Sequence, residues 1–246
     1  MTLFQSLIRS GVAASAVAAQ GLSITVSVDD PRPLWAALRQ LEEKQGWQVS
    51  YEDPQYAGTD LVDRTARGYS GPGRALVPRG GQLAVSAAGA LTPAQFVQLL
   101  IDDHTRRNNP GQFEVRSISG TLVVVPVKGS VLDARITLAQ KDRSLAELLR
   151  ELAQVLTQNT HVPVHEPGML VGPPQRFTFG ANNESARTVL LRALQMKAGG
   201  KQPIYIWDLL YAANFGYVLN VHTMRVRVGR PDGTSMLTEV SRSDGR

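Results

Sequence analysis

The sequence predicts an α+β fold built as two tandem βαββαββ modules, each with two helices packed on one face of a small mixed sheet. Three observations predict it. One order of elements recurs after about 110 residues. In both copies, short segments alternate apolar and polar residues, the period of a half-buried strand. In both, longer segments carry apolar residues three and four apart, the stripe of a helix that covers a sheet.

The first module spans 21–128. Ile24-Thr25-Val26-Ser27-Val28 alternates as a strand, and Asp29-Asp30-Pro31 turns the chain. Pro33 suits a first helical turn, and Leu34, Ala37, Leu38 and Leu41 make the stripe. Gly46 stops that helix. Val49 and Tyr51 resume strand alternation. Leu83, Val85 and Ala87 form the next strand. Thr92-Pro93 is an N-cap followed by an N1 proline, opening a helix with Phe96, Leu99 and Leu100 that ends at 108–111. Phe113–Arg116 and Thr121–Val125 form a hairpin across Ser119-Gly120. The far sheet face is expected to be mostly polar or packed on a neighbour, and the strands near Val123 and Val125, apolar on both sides, speak for a neighbour.

The second module spans 131–228. Ile136-Thr137-Leu138 is its first strand. Ser144 with Glu147 three residues on reads as a capping box, and Leu145, Leu148, Leu149, Leu152 and Leu156 follow as a stripe. His161–His165 reads as a short strand, and Arg176–Phe179 as the next. Asn182 or Asn183 can cap a helix whose buried face is Val189, Leu190, Ala193 and Leu194. Ile204–Trp207 and Tyr217–Val221 close the module across 214–216.

Three stretches fall outside the repeat. Residues 1–20 read as a signal peptide: one charge at Arg9, small apolar residues over 11–19, and Ala16-Val17-Ala18 as a small-x-small cleavage pattern. The alternative is a simple N-terminal extension. Residues 58–81 are a glycine-rich insertion in the first module, expected to be a mobile loop. Its Arg64, Arg67, Arg74 and Arg79 are the candidate partner-binding residues, since guanidinium groups pair with carboxylates or phosphates. The polar tail 229–246 is expected to be disordered.

Composition narrows the function. Hydrophobic residues are 43% of the 246 and charged residues 19%, a globular rather than a disordered balance. The chain has no cysteine, which excludes disulfides, thiolate nucleophiles and Cys-ligated metals. No later stretch is apolar for the roughly 20 residues a bilayer demands, so no transmembrane segment is expected in the mature chain. A net charge of +5, with the basic residues scattered, is weak motivation for nucleic acid.

No catalytic constellation is legible. His161 and His165 would share a strand face, with Glu166 as a third metal ligand, but a pair alone is a thin site. Glu42-Glu43 and Asp102-Asp103 lie near helix ends, where neighbours point about 100° apart, so they read as solvated faces. There is no GxSxG elbow and no HExxH. Gly71-Pro72-Gly73-Arg74 lacks the lysine and hydroxyl of a phosphate loop. Trp35, Trp47 and Trp207 are expected in the core or at the seam between the modules.

The strand, Pro33-Leu34, Ala37-Leu38, Leu41, Gly46 and Val49-x-Tyr51 together resemble the short N-terminal domain (STN-like) of secretins and TonB-dependent receptors. Ile136-x-Leu138, Leu145, Leu148-Leu149 and Leu152 resemble it in the second copy. The resemblance covers about residues 22–226 and departs from the family at the 58–81 insertion. It implies a periplasmic or secreted module working by protein–protein contact, with no cofactor, no metal and no catalytic residues. The expectation is an exported non-enzymatic interaction module or adaptor of the bacterial cell envelope, bound to envelope proteins rather than nucleic acid. The alternative is a basic nucleic-acid-binding protein of the cytoplasm.

Overall fold

The computed structural model describes residues 23–65, 76–166, 176–196, 202–230 and 232–242. The fold is mixed α+β. The first half runs β1 (Ile24–Asp29), α1 (Pro33–Gln45), β2 (Val49–Glu52), β3 (Leu61–Asp63), β4 (Leu76–Pro78), β5 (Gln82–Ala87), α2 (Pro93–Arg106), β6 (Phe113–Ile118) and β7 (Thr121–Pro126). The second half runs β8 (Arg135–Ser144), α3 (Leu145–Thr160), β9 (Val164–His165), β10 (Arg176–Ser185), α4 (Ala186–Gln195), β11 (Gln202–Pro203), β12 (Tyr205–Ala212) and β13 (Gly216–Thr223). Then come β14 (Arg225–Gly229), β15 (Ser235–Glu239) and β16 (Ser241–Arg242).

The two halves repeat one pairing scheme. β1 pairs antiparallel with β5, as β8 does with β10. β6 pairs antiparallel with β7, as β12 does with β13. β2 lies parallel to β7, as β9 does to β13. The halves then join: β2 pairs in parallel with β12, giving one six-stranded sheet in the order β6-β7-β2-β12-β13-β9.

This shared sheet is what local patterns do not carry. Strand neighbours point to opposite faces, and here each face has its own helices. Val49, Tyr51 and Val124 enter a core with Leu34, Leu38, Leu41, Phe96 and Leu100 of α1 and α2. Val123, Val125, Trp207 and Leu209 enter a second core with Leu148, Leu152 and Leu156 of α3 and Leu190 of α4. The uncovered face of β7 is thus closed by the second half.

Local signals act where they stand. Thr92 and Ser144 each make a reciprocal capping box, with Gln95 and with Glu147. Gly46 is the left-handed residue after α1. Several expectations need correction. Ser185 caps α4, its hydroxyl accepting from Thr188 N–H, while Asn182 and Asn183 belong to an irregular stretch of β10. His161 is the left-handed C-cap of α3, so it shares no strand face with His165. The tail expected to be disordered carries strands among its described residues: β14 pairs antiparallel with β15, and β16 with β11. Alternation in Arg225-Val226-Arg227-Val228 and the Asp232-Gly233 turn account for the β14–β15 pair. Thr234 hydroxyl and amide both bond Asp232 there. The ends of the 58–81 insertion pair as the β3–β4 hairpin instead of looping freely. The signal-peptide reading lies outside the described residues.

Candidate functional site

The arginine insertion divides. Arg67 and Arg74 lie outside the described residues. Arg64 and Arg79 are both exposed, and Arg79 N–H donates to Asp60 O at 2.6 Å. Asp63 stands opposite Leu76 and Leu61 opposite Pro78. Arg64 therefore leaves one end of the hairpin and Arg79 the other, roughly 13 Å apart along the strand direction. The structure does not bring these two cations together.

Nor does it gather the histidines. His165 stacks on Phe215, ring centroids 3.9 Å apart, and Glu166 pairs with Arg150. Among the described residues no group of three or more His, Asp or Glu is placed to hold a metal.

What the structure does assemble is a seam of buried ionic groups where the halves meet. Three clusters make it up. At the end of β2, Asp53 is fully buried. Its N–H donates to Leu209 O at 2.7 Å, extending the β2–β12 ladder. Its carboxylate accepts from Arg32 Nε at 2.7 Å, Tyr211 N–H at 2.9 Å, and the Tyr51 and Tyr56 hydroxyls at 2.8 Å each. Arg32 Nη2 also donates to Tyr211 O at 2.5 Å. Burial pushes the Asp53 carboxyl up, and the Arg32 charge and these hydrogen bonds draw it only partly back. Burial opposes charge on Arg32, yet Asp53 outweighs it and raises the guanidinium pKa. Burial, then the neighbouring Asp53, push both tyrosine hydroxyls well up, so they remain donors.

One residue earlier, Glu52 points to the opposite sheet face. Arg187 of α4 binds it in a fork, Nε to Oε1 and Nη2 to Oε2, both 2.7 Å. Arg187 Nη1 also pairs with Asp133. Burial disfavours the Arg187 charge, but Glu52 and Asp133 overcome it and raise its pKa. The same guanidinium holds the Asp133 carboxyl below its usual range against partial burial.

The third cluster lies under α1. Arg39 pairs with Glu42, donates to Val49 O at 2.6 Å and stands 3.5 Å from Asp208 of β12. His222 Nε2 is 3.0 Å from Arg39 Nη1 and 3.3 Å from Glu42 Oε2. These contacts need opposite roles of one nitrogen: neutral, it accepts from Arg39; protonated, it donates to Glu42. Burial works against the Glu42 charge, but His222, Arg39 and the Arg225 amide keep its pKa below the usual carboxylate range. Asp208 Oδ1 is buried without a hydrogen bond.

Glu42 and Asp103 read in sequence as solvated; both are buried and paired. Asp103 accepts from Ala84 N–H at 3.0 Å and from Arg107 Nε at 2.8 Å, tying α2 to β5.

In the first two clusters the carboxylates Glu52 and Asp53 are occupied. A general base needs a lone pair within reach of a substrate proton, and both oxygens of Glu52 and of Asp53 already accept from buried donors of this chain. The seam is fitted to lock two halves together. A shallow groove of ≈ 370 Å³ lies apart from it, between α3 and β9, lined by Arg150, Gln154, Thr157, Gln158, His165 and Glu166 among others. No helix among the described residues is long and apolar enough to cross a membrane. Comparison with known families, curated proteins and solved structures returns no match for this chain.

Proposed function

We propose that the chain is an exported, non-enzymatic protein–protein interaction module or adaptor of the bacterial cell envelope, each half being a unit like the short N-terminal domain of secretins and TonB-dependent receptors. The observation that carries this reading is the repeated pairing scheme: each half lays a β2-type strand in parallel against the second strand of a C-terminal hairpin. Two such units fused through one sheet make a rigid body that presents surfaces rather than a reaction centre. The occupied carboxylates of the seam support the same reading, as does the leader pattern at 1–20.

The test is fractionation of the native cells, with the N-terminal residue of the purified protein read and its neighbours cross-linked. The expected result is a new N-terminus near Ala19 in the periplasmic or secreted fraction, cross-linked to envelope proteins. An intact Met1 in the cytoplasm, with binding to nucleic acid that weakens steeply with log[salt], would overturn it in favour of the nucleic-acid reading.

A further inference from the structure

We propose that two copies of this chain pair edge to edge through β6, antiparallel and centred on Val115, forming a two-fold dimer with a continuous sheet. This interface is independent of the compartment in which the protein works.

β6 is the terminal strand of the six-stranded sheet, and no described strand lies on its outer side. Val127 N–H donates to Gln112 O at 2.9 Å, so the Gln112–Val127 pair bonds inward. Bonded and non-bonded pairs alternate along an antiparallel ladder. The register Glu114↔Val125 and Arg116↔Val123 continues that inward set. Phe113, Val115 and Ser117 therefore present their N–H and C=O groups outward. Such an edge is a template for another strand.

The side chains select the occupant. Glu114 and Arg116 share a face, form an ion pair along the strand, and are 44% and 43% exposed, so both are available. An antiparallel pairing centred on Val115 sets Glu114 opposite Arg116 of the second copy, and Arg116 opposite its Glu114. These are non-hydrogen-bonded pairs, where side chains come closest. Val115 meets its own copy on the axis, and its half-buried side chain adds an apolar contact on the face that α2 covers. Centring on Glu114 or on Arg116 instead sets like charges opposite, and of the outward-facing centres only Val115 sets both opposite-charge pairs against each other. A two-fold interface requires this reciprocity of i with j and j with i. A second copy supplies it by identity; an unrelated strand has no reason to.

Light scattering of the full chain over a range of concentrations tests this. The expected mass at high concentration is twice the 26.7 kDa of one chain. Glu114→Arg and Arg116→Glu each set like charges across the pair, and each is expected to fall to the single-chain mass with an unchanged thermal melt. Mixed in equal amounts, the two variants become complementary and are expected to regain the doubled mass. Three results would overturn the proposal: a wild-type chain at single mass throughout, a dimer indifferent to either substitution, or a mixture that stays at single mass.

Discussion

Glu52 and Arg187 stand 135 positions apart in sequence and 2.7 Å apart in the fold. Removing one partner of such a buried pair strands the other charge, which costs about 3–5 kcal/mol. Arg187→Met is therefore expected to lower the unfolding free energy read from urea melts by that order. Glu52→Met with Arg187→Met is expected to recover most of the loss, because the stranded charge goes too. Purely additive losses would contradict the coupling. His104 gives a prediction in pH. Its ring is 2% exposed and its Nδ1 has no partner. Burial lowers its pKa from 6.5 to about 4, against an opposing pull from Asp103. Between those values the unfolded chain binds a proton that the folded chain refuses, so stability falls as pH falls through the window, by about 3 kcal/mol in full. Urea melts at about pH 7 and about pH 4.5 are expected to show this slope. His104→Leu is expected to flatten it, and an unchanged slope in that variant would contradict the assignment. None of these residues announces itself in the sequence. The caps at Thr92 and Ser144 are legible because their partners lie three residues away; Asp53, Asp208 and Arg187 are not, because their partners are set by tertiary pairing.

Among elements, the four helices and the strands of the repeat are legible from their apolar period, whereas the β14–β15 pair is not read despite the alternation of Arg225 to Val228. At Asn183 and His161 two local signals compete. Asn183 has the composition of a helix cap, but Ser185 stands nearer the first helical residue and accepts from Thr188 N–H at 3.2 Å. His161 looks like strand from its neighbours Val162 and Val164, yet α3 runs on to Thr160 and needs a left-handed stop. The turn before β13 shows how one residue sets an element. Gly216 has φ +91°, and a Cβ there would stand 2.2 Å from Pro163 O. That carbonyl accepts from Tyr217 N–H at 2.8 Å, beside the β13–β9 pairing. Gly120 also has positive φ, at +79°, but open space around it. Gly216→Ala is accordingly expected to cost about 2 kcal/mol or more, and Gly120→Ala about 1 kcal/mol. Equal melting shifts for the two would show that backbone strain alone, and not the Pro163 contact, governs the site.

In the whole molecule, two sequence repeats fold into one body through a shared six-stranded sheet. The alternation of β7 hinted at this, since Val123 and Val125 left an apolar face with no helix of their own half to cover it. The partner of that face is the helix pair α3 and α4 of the other half, and the β2–β12 join rests on residues 157 positions apart, Asp208 against Tyr51. With Asp53 and Glu52 bonded across the join, the halves are expected to open together. Native-state hydrogen exchange tests this most directly. The amides of β2 and β12 are expected to exchange with one opening free energy, equal to that of global unfolding. If instead one half exchanges at a distinctly lower free energy while the other stays protected, the repeats are separate domains in contact and the claim of a single body is contradicted.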